Sequence, residues 1–321
     1  MSEHEFAPFI RALGKGPRGR RDLSAHEAFD AMTAIIEQRV TQAQLGAFLM
    51  LLRVKEESID ELTGFVRAIE AKREPTDTQY DISWSTYSGK RKQPHWFLLA
   101  AAALSSRYTI ALHGGSEHTP ERIYTQHLCH QLDIPIQTPG DQPSSLVYIP
   151  LSESNPTLDR LLMLRDEFGL RSPLNSVLRL HTPVDASTSV MSVFHPNYAE
   201  KHQHAARQLK RRASLVFKGD AGEAEIRPTA NTTVFIQRST ILTTDIISRR
   251  IPLSARIERA PSASELAAQW HHDLRDYGYH AVLATMTAVL MAHEGWSQDT
   301  ASGIANEIWS NRDRNRFKSA L

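Results

Sequence analysis

Apolar residues recur at i, i+3, i+4 and i+7 in two early stretches, Leu45, Phe48, Leu49, Leu52 and Leu62, Phe65, Val66, Ile69. That period marks amphipathic helices, and Phe29, Met32 and Ile36 give a preceding segment a similar stripe. A hydroxyl stands three residues before a Glu or Gln in Ser24-x-x-Glu27, Thr41-x-x-Gln44 and Ser58-x-x-Glu61. Each is a capping box, in which hydroxyl and acid or amide satisfy one another's backbone amides at a helix start. With Pro75 closing the set, the pattern predicts a small helical lobe over residues 1–75, its aromatic residues serving as core.

Beyond Pro75 the period changes. Short β-rich runs at Tyr80–Trp84, Tyr108–Leu112, Leu146–Ile149, Val190–Phe194, Leu215–Phe217 and Thr232–Ile236 alternate with helix-like stretches at Trp96–Ser106, Pro120–Leu132, Pro156–Phe168, Pro196–Arg212 and Ser264–Tyr277. Pro120, Pro156 and Pro196 sit where a first helical turn accepts proline. Ala281–His293 and Asp299–Ser310 end the chain helically. Such alternation predicts an α/β protein: the helical lobe plus a larger domain whose mainly parallel sheet is covered by helices. Ligands of such sheets collect outside the carboxyl ends of the strands. Two loops fall there, Ser85–Gln93 ahead of Pro94 and His113–Glu117, and either could set helix-start amides against an anion.

Composition narrows the function classes. The longest apolar run, Trp96–Leu104, has nine residues, whereas a spanning helix needs about 20. No membrane segment is expected. The start MSEHEFAPFI lacks a basic region followed by an apolar core, so no secretory signal is read there. Cys129, the lone cysteine of the 321 residues, cannot form an internal disulfide, and a cytoplasmic protein is expected. The formal net charge is only +1, so distribution decides whether a polyanion is a partner. Lys15, Arg18, Arg20 and Arg21 crowd GKGPRGRR, and Lys90, Arg91 and Lys92 are contiguous in GKRK. Further groups lie at Arg207, Lys210, Arg211, Arg212 and at Arg312, Arg314, Arg316, Lys318. Solvated surface charge is the ordinary reading of any single such group.

Familiar catalytic motifs are missing. GKGPRGRR carries Arg20-Arg21 where a P-loop needs Lys-Ser or Lys-Thr, and there is no HExxH, CxxC, GxSxG or GxGxxG. The pairs His202/His204 and His271/His272 lack a third ligand at metal spacing.

The order of helical lobe, strand, glycine loop, helix, strand and His-Gly loop resembles anthranilate phosphoribosyltransferase and its relatives, the third class of the nucleoside phosphorylase/phosphoribosyltransferase fold. Arg165-x-x-Phe-Gly169-x-Arg171-Ser-x-x-Asn175 is similar to that family's Arg-x-x-Leu-Gly-x-Arg-Thr-x-x-Asn segment, and Val193-Phe-His195-Pro196-x-Tyr198 to its Gly-Val-(Phe/Tyr)-x-Pro segment. The resemblance runs from about residue 8 to 310. It implies a discontinuous lobe, residues 1–75 joined by about 156–180, with 76–155 and 181–321 forming the α/β domain. It also implies a pocket built from Gly89, His113, Gly114, Arg165, Arg171, Asn175 and Glu225.

Departures from the family pattern fall at the chemistry. The enzymes' Gly-Thr-Gly-Gly-Asp loop lets backbone amides close on phosphoribosyl pyrophosphate, an approach a β-carbon obstructs. Here that loop keeps Gly89 and continues into three cations. Lys-His-Gly-Asn becomes Leu112-His113-Gly114-Gly115, and of the Asp-Glu pair that holds Mg²⁺ only Glu225 remains, in Gly222-Glu223-Ala224-Glu225. A pyrophosphate leaving group needs metal to neutralise its developing charge, which argues against transferase activity and for no bound cofactor, although Glu223 could substitute.

Tyr87-Ser-Gly89-Lys-Arg91-Lys92-Gln93, His113-Gly114-x-Ser116-Glu117 and Gly14-Lys15-Gly16 followed by Arg21-Asp22-Leu23 resemble the YbiB-like branch of the family. That resemblance implies a homodimer joined through the helical lobes that binds DNA and RNA with little sequence preference. Such binding is phosphate neutralisation and needs clustered cations rather than a base-reading motif. Lys15, Arg18, Arg20, Arg21, Lys90, Arg91 and Lys92 are the candidate contacts, with Tyr87, His95 and Trp84 near enough in sequence to stack on unpaired bases. The alternative is a phosphoribosyltransferase or phosphorylase using phosphoribosyl pyrophosphate and Mg²⁺ on an aromatic or nucleobase substrate.

Overall fold

The computed structural model describes residues 3–16, 18–73, 78–272 and 274–320; Pro75, expected to close the lobe, lies outside them. Four helices open the chain, α1 (Ala7–Gly14), α2 (Ala25–Ile36), α3 (Gln42–Lys55) and α4 (Ile59–Glu70). The three capping boxes form as expected: Ser24, Thr41 and Ser58 each accept the N3 amide while Glu27, Gln44 and Glu61 return to the cap amide. The stripes close the lobe, with Phe48, Leu49, Leu62, Phe65 and Val66 at most 1% exposed. Phe6, Phe48 and Phe65 meet edge to face. Helices α2 and α4 cross so closely at Gly64 that a β-carbon there would stand 2.2 Å from the Ala25 carbonyl oxygen.

Then follow β1 (Gln79–Ser85), α5 (Trp96–Leu104), β2 (Ile110–Gly114), α6 (Thr125–Gln131) and β3 (Leu146–Pro150). Helices α7 (Leu151–Ser154), α8 (Pro156–Met163), α9 (Arg165–Phe168) and α10 (Leu174–Leu180) lead to β4 (Asp185–Val193), α11 (Asn197–Gln208), β5 (Ala213–Lys218), β6 (Thr232–Arg238) and β7 (Ile241–Ile247). Helices α12 (Ala263–His271), α13 (Tyr277–Glu294) and α14 (Gln298–Ser310) complete the order. Among the described residues seven strands make one sheet, β3-β2-β1-β4-β5-β6-β7, parallel as far as β5 and antiparallel in its last two pairs.

Several expected boundaries shift for local reasons. The predicted Pro120–Leu132 helix starts only at Thr125, because Ile123 pairs with Lys90 in an isolated bridge. The Pro156–Phe168 stretch divides at Leu164, and the segment from Ser264 breaks after His271 before α13 begins at the Asp276 cap. Strand β7 is an exposed edge with Thr243, Thr244 and Asp245 at its centre, which hides it from an apolar pattern.

One face of the sheet packs on α5, α12, α13 and α14, where Trp84, Phe97 and Trp270 are buried. The other face shares an apolar cluster with the lobe: Met191, Val193 and Val216 join Phe48, Phe65 and Val66 there. Leu158, Leu162, Leu174, Val177 and Leu178 of α8 and α10 belong to the same cluster. The chain builds outward from β1 through β2 to β3 and then returns to place β4 on the other side of β1, so strand order reverses between β1 and β4 and a crevice is expected at the carboxyl ends of these strands.

Candidate functional site

Ser88 and Gly89 form the turn after β1. Gly89 adopts a left-handed φ of +63°, and a β-carbon there would meet the Ile123 carbonyl oxygen at 2.9 Å. Two mutual backbone bonds between Lys90 and Ile123, 2.9 and 2.8 Å, hold the turn. The amides of Ser88 and Gly89 both donate to one carboxylate oxygen of Glu223, Ser88 at 2.8 Å. The buried Arg179 donates to the Gly222 carbonyl at 2.6 Å, to Ser192 and to the Ser88 hydroxyl. Arg122 reaches the carbonyls of Ser88, Gly89 and Ala221 at 2.9–3.1 Å. The loop after β1 and the turn after β5 are therefore stitched together by two arginines, with a carboxylate between them.

Lys90 corrects a sequence expectation. Its side chain is fully buried, donating to Glu225 at 2.6 Å and the Pro94 carbonyl at 2.8 Å, with Asp220 at 3.1 Å. A group so enclosed is not a surface phosphate contact. Asp220 also meets Arg256 at 2.9 Å and Arg227 at 3.3 Å. Although burial disfavours its charge, Lys90, Arg256 and Arg227 keep its carboxyl below the ordinary range. Glu225 goes the other way, because burial outweighs Lys90 and the Phe97 amide and raises its pKa. Burial, together with the charge of Lys90, holds His95 neutral. Trp84, Tyr87 and His95 are all buried and are not available to stack on bases.

The His-Gly loop is equally enclosed. His113 Nδ1 and the Tyr87 hydroxyl are 3.1 Å apart, and burial keeps His113 well below its usual pKa. A β-carbon at Gly114 would stand 2.2 Å from the Thr86 carbonyl oxygen. Arg165 donates to the His118 carbonyl at 3.1 Å, Arg171 to the Thr119 hydroxyl at 3.3 Å and Asn175 to the Ser172 carbonyl at 3.3 Å. Of the pocket residues expected from sequence, Arg171 and Asn175 line a cleft of about 210 Å³ together with Arg53, Arg179, His195 and Tyr198. Gly89, His113, Gly114, Arg165 and Glu225 do not line it. Arg179, Arg122 and Asp220 escaped sequence reasoning; the one signal was an arginine set among the apolar Val177, Leu178 and Leu180.

Outside the crevice the cations divide. Lys15, Arg18 and Arg20 are exposed, and their side chains form no hydrogen bond or ion pair among the described residues. Arg21 is bidentate to Glu27, at 2.7 and 2.6 Å. Arg91 and Lys92 are exposed and pair with Glu121 and Glu258. Arg211 is drawn inward to Glu70, while Arg312, Arg314 and Arg316 donate to backbone carbonyls of Trp270, His271 and Ala102.

The helical-bundle domain of a glycosyl transferase family matches residues 7–72, and the a/b domain of the glycosyl transferase family matches residues 145–306, just over half of the chain. The chain belongs to this glycosyl transferase family. Within it, the uncharacterized protein YbiB of Escherichia coli (strain K12) is 26% identical over 237 residues, 70% of this chain and 73% of that protein. Anthranilate phosphoribosyltransferase of Geobacillus thermodenitrificans (strain NG80-2) is 26% identical over 223 residues, 66% and 65% of the two chains. Anthranilate phosphoribosyltransferase from Thermus thermophilus superposes with a TM-score of 0.79 at 18% identity, over 98% of this chain and 96% of that one. The Saccharomyces cerevisiae enzyme in complex with PRPP and Mg gives 0.76 at 16%, over 99% and 98%. The fold is thus that of the anthranilate phosphoribosyltransferases, and the chain falls in the YbiB-like branch of the glycosyl transferase family.

Phosphoribosyl pyrophosphate and Mg²⁺, implied by this family's enzymes, do not fit the residues present. Glu223 occupies the Ser88 and Gly89 amides, Ala224 replaces one carboxylate of the metal pair, and Glu225 is committed to Lys90. No helix among the described residues is long and apolar enough to cross a membrane.

Proposed function

We propose that this phosphoribosyltransferase-like chain is a nucleic-acid-binding protein that grips DNA or RNA by the phosphate backbone without sequence preference, as a homodimer joined through its helical lobes. The observation that carries the reading is the exposed turn after α1, where Lys15, Arg18 and Arg20 point no charge at an acid among the described residues. Unpaired surface cations keep their full attraction for phosphates and release counterions on contact. Arg91 and Lys92 are the second arm of the reading, because exposed ion pairs are worth little and a phosphate can displace Glu121 or Glu258. A dimer doubles the set, which offsets a net charge of only +1.

Anisotropy titrations of labelled single- and double-stranded oligonucleotides at several salt concentrations test this. Sequence-indifferent binding that weakens steeply with salt supports it; no binding at low salt rejects it.

A second reading, transfer or phosphorolysis at a ribosyl phosphate, draws on the cleft lined by Arg53, Arg171 and Arg179, three cations that suit an anionic ligand. Calorimetry with phosphoribosyl pyrophosphate and Mg²⁺ distinguishes it, and absence of heat at millimolar ligand would remove it.

A further inference from the structure

We propose that the cavity between α11 and the ends of β5 and β6 is a mononucleotide site, which holds one phosphate against Lys218 and Arg227 and an aromatic base against Phe235. It is separate from the cleft of Arg171 and Asn175, with no lining residue in common among those described. The inference stands whether or not the Lys15–Arg20 turn binds a strand.

Topology makes the cavity. Strand β5 ends at Lys218, β6 begins at Thr232, and α11, which packs on both strands, begins after Pro196. Their ends leave about 320 Å³ between them, within the range of about 300–1,000 Å³ that small-ligand pockets occupy.

Charge decides the class of ligand. Among the described residues two cations, Lys218 and Arg227, line the cavity and no acid does. Lys218 is exposed, and its side chain makes no hydrogen bond or ion pair among the described residues. Arg227 lies 3.3 Å from Asp220, but Asp220 is shared with Lys90 and Arg256. With Glu225 paired to Lys90, three cations face two carboxylates, so this group is positive before Lys218 is added. The first turn of α11 reaches the cavity at Pro196 and Ala199 and carries no side-chain cap, which adds the positive end of a helix dipole. Glu200, the acid of that turn, does not line the cavity and stands 3.9 Å from His204. A phosphate monoester carries about −1.5 to −2 at pH 7, which suits such a set better than a single carboxylate.

The rest of the wall suits a base rather than a bare ion. Phe235, only partly buried, gives an aromatic ring, and Pro196, Ala199 and Ala230 give further apolar surface. Contact with an aromatic ring tolerates any base, because every base has a π-face. Asn231 spends its carbonyl oxygen on the Arg249 amide at 2.9 Å, which leaves its Nδ2 as a donor. The exposed Thr233 hydroxyl makes no hydrogen bond among the described residues. Inorganic phosphate would use the cations and leave the apolar wall wet, and a nucleoside would use the wall and leave the cations unpaired. A nucleotide uses both.

Calorimetry on the full chain, without metal, with adenosine monophosphate, adenosine and inorganic phosphate tests the assignment. Adenosine monophosphate is expected to bind at least about tenfold more tightly than either fragment. Lys218→Glu, a change at an exposed side chain, is expected to weaken it by at least about tenfold. Lys318→Glu, the same charge change at an exposed cation near the carboxyl terminus, is expected to leave it unaltered. A short single strand added at saturation identifies the source of the ligand: displacement of adenosine monophosphate assigns the cavity to an unpaired residue of a strand, and undiminished binding assigns it to the free nucleotide. No heat with adenosine monophosphate at millimolar concentration overturns the proposal. So does an affinity no better than that of inorganic phosphate, or one that Lys218→Glu reduces no more than Lys318→Glu does.

Discussion

Lys90 donates to Glu225 across 2.6 Å with neither side chain exposed to solvent, and Asp220 stands 3.1 Å from the same ammonium group. One cation thus serves two buried carboxylates, and removing it leaves Glu225 without an ion-pair partner in a dry interior, while Asp220 keeps Arg256 and Arg227. Lys90→Ala is expected to destabilise the protein by about 3–5 kcal/mol, measured as a fall in the urea midpoint at pH 7. The same variant, assayed where it remains folded, is expected to keep its affinity for oligonucleotides and its salt dependence. A reduced salt slope in folded Lys90→Ala would return Lys90 to the phosphate-binding surface.

The helix starts of the lobe were legible because a capping box is a local device: Ser24 and Glu27 find each other within one turn whatever the rest of the chain does. Parallel strands buried on both faces, such as Ile110–Gly114, were legible for a similar reason, since burial forces a continuous apolar run. Lys90 was not legible. Glu225, which draws it inward, lies 135 residues further along, and no local pattern distinguishes a cation on a loop from one folded into the sheet. Glu223 was equally hidden as a partner of the loop amides: its possible role as a metal substitute could be read from spacing, but its contact with Ser88 depends on β5 lying two strands from β1.

On the outer surface, Lys15, Arg18 and Arg20 carry the nucleic-acid reading. Removing one phosphate-binding cation is expected to reduce the slope of log affinity against log salt by about 0.9 for duplex DNA. The triple alanine variant is therefore expected to lose close to three times that slope per protomer engaged, with affinity falling by a similar factor for unrelated sequences. Arg21→Ala should do less to the slope, because Arg21 is already bidentate to Glu27. Titrations at several salt concentrations check this, and an unchanged slope in the triple variant would detach the turn from any nucleic-acid site.

Glu70 joins the lobe to the α/β domain by accepting from Arg211 and from the Thr182 amide at 2.9 Å, with His181 at 3.5 Å. Burial opposes its ionisation, but the charge of Arg211 and the contact with His181 outweigh it and hold its pKa at about 2, against an ordinary 4.5. A carboxyl with a depressed folded pKa contributes stability above its unfolded value, and that contribution disappears as pH falls toward the folded value. The linked stabilisation, about 3 kcal/mol, should be present at pH 6 and decline between about pH 4.5 and 2. Glu70→Gln is expected to be less stable than the unaltered chain at pH 6 and to approach it at acid pH, measured by urea unfolding across that range. A difference independent of pH would assign Glu70 a packing role alone.

Gly64 sets how closely α2 and α4 approach. A β-carbon there would lie 2.2 Å from the Ala25 carbonyl oxygen, 2.7 Å from the Ala28 β-carbon and 2.9 Å from the Phe29 amide nitrogen. Two of those three atoms are backbone and cannot turn aside as a flexible side chain would, so the helices must separate. Helix propensity alone favours Ala over Gly by about 1 kcal/mol, whereas overpacking of this kind costs about 1–3 kcal/mol or more. The steric term should win, and Gly64→Ala is expected to lower the thermal midpoint rather than raise it. Because Glu61 on the same helix accepts from the Leu23 amide at 2.9 Å and from Lys55 at 2.8 Å, a displaced α4 would also loosen the chain that follows the Lys15–Arg20 turn. Calorimetric melting checks the first outcome, and hydrogen exchange at the Leu23 amide checks the second. A rise in the melting midpoint would show that the two helices have room to part.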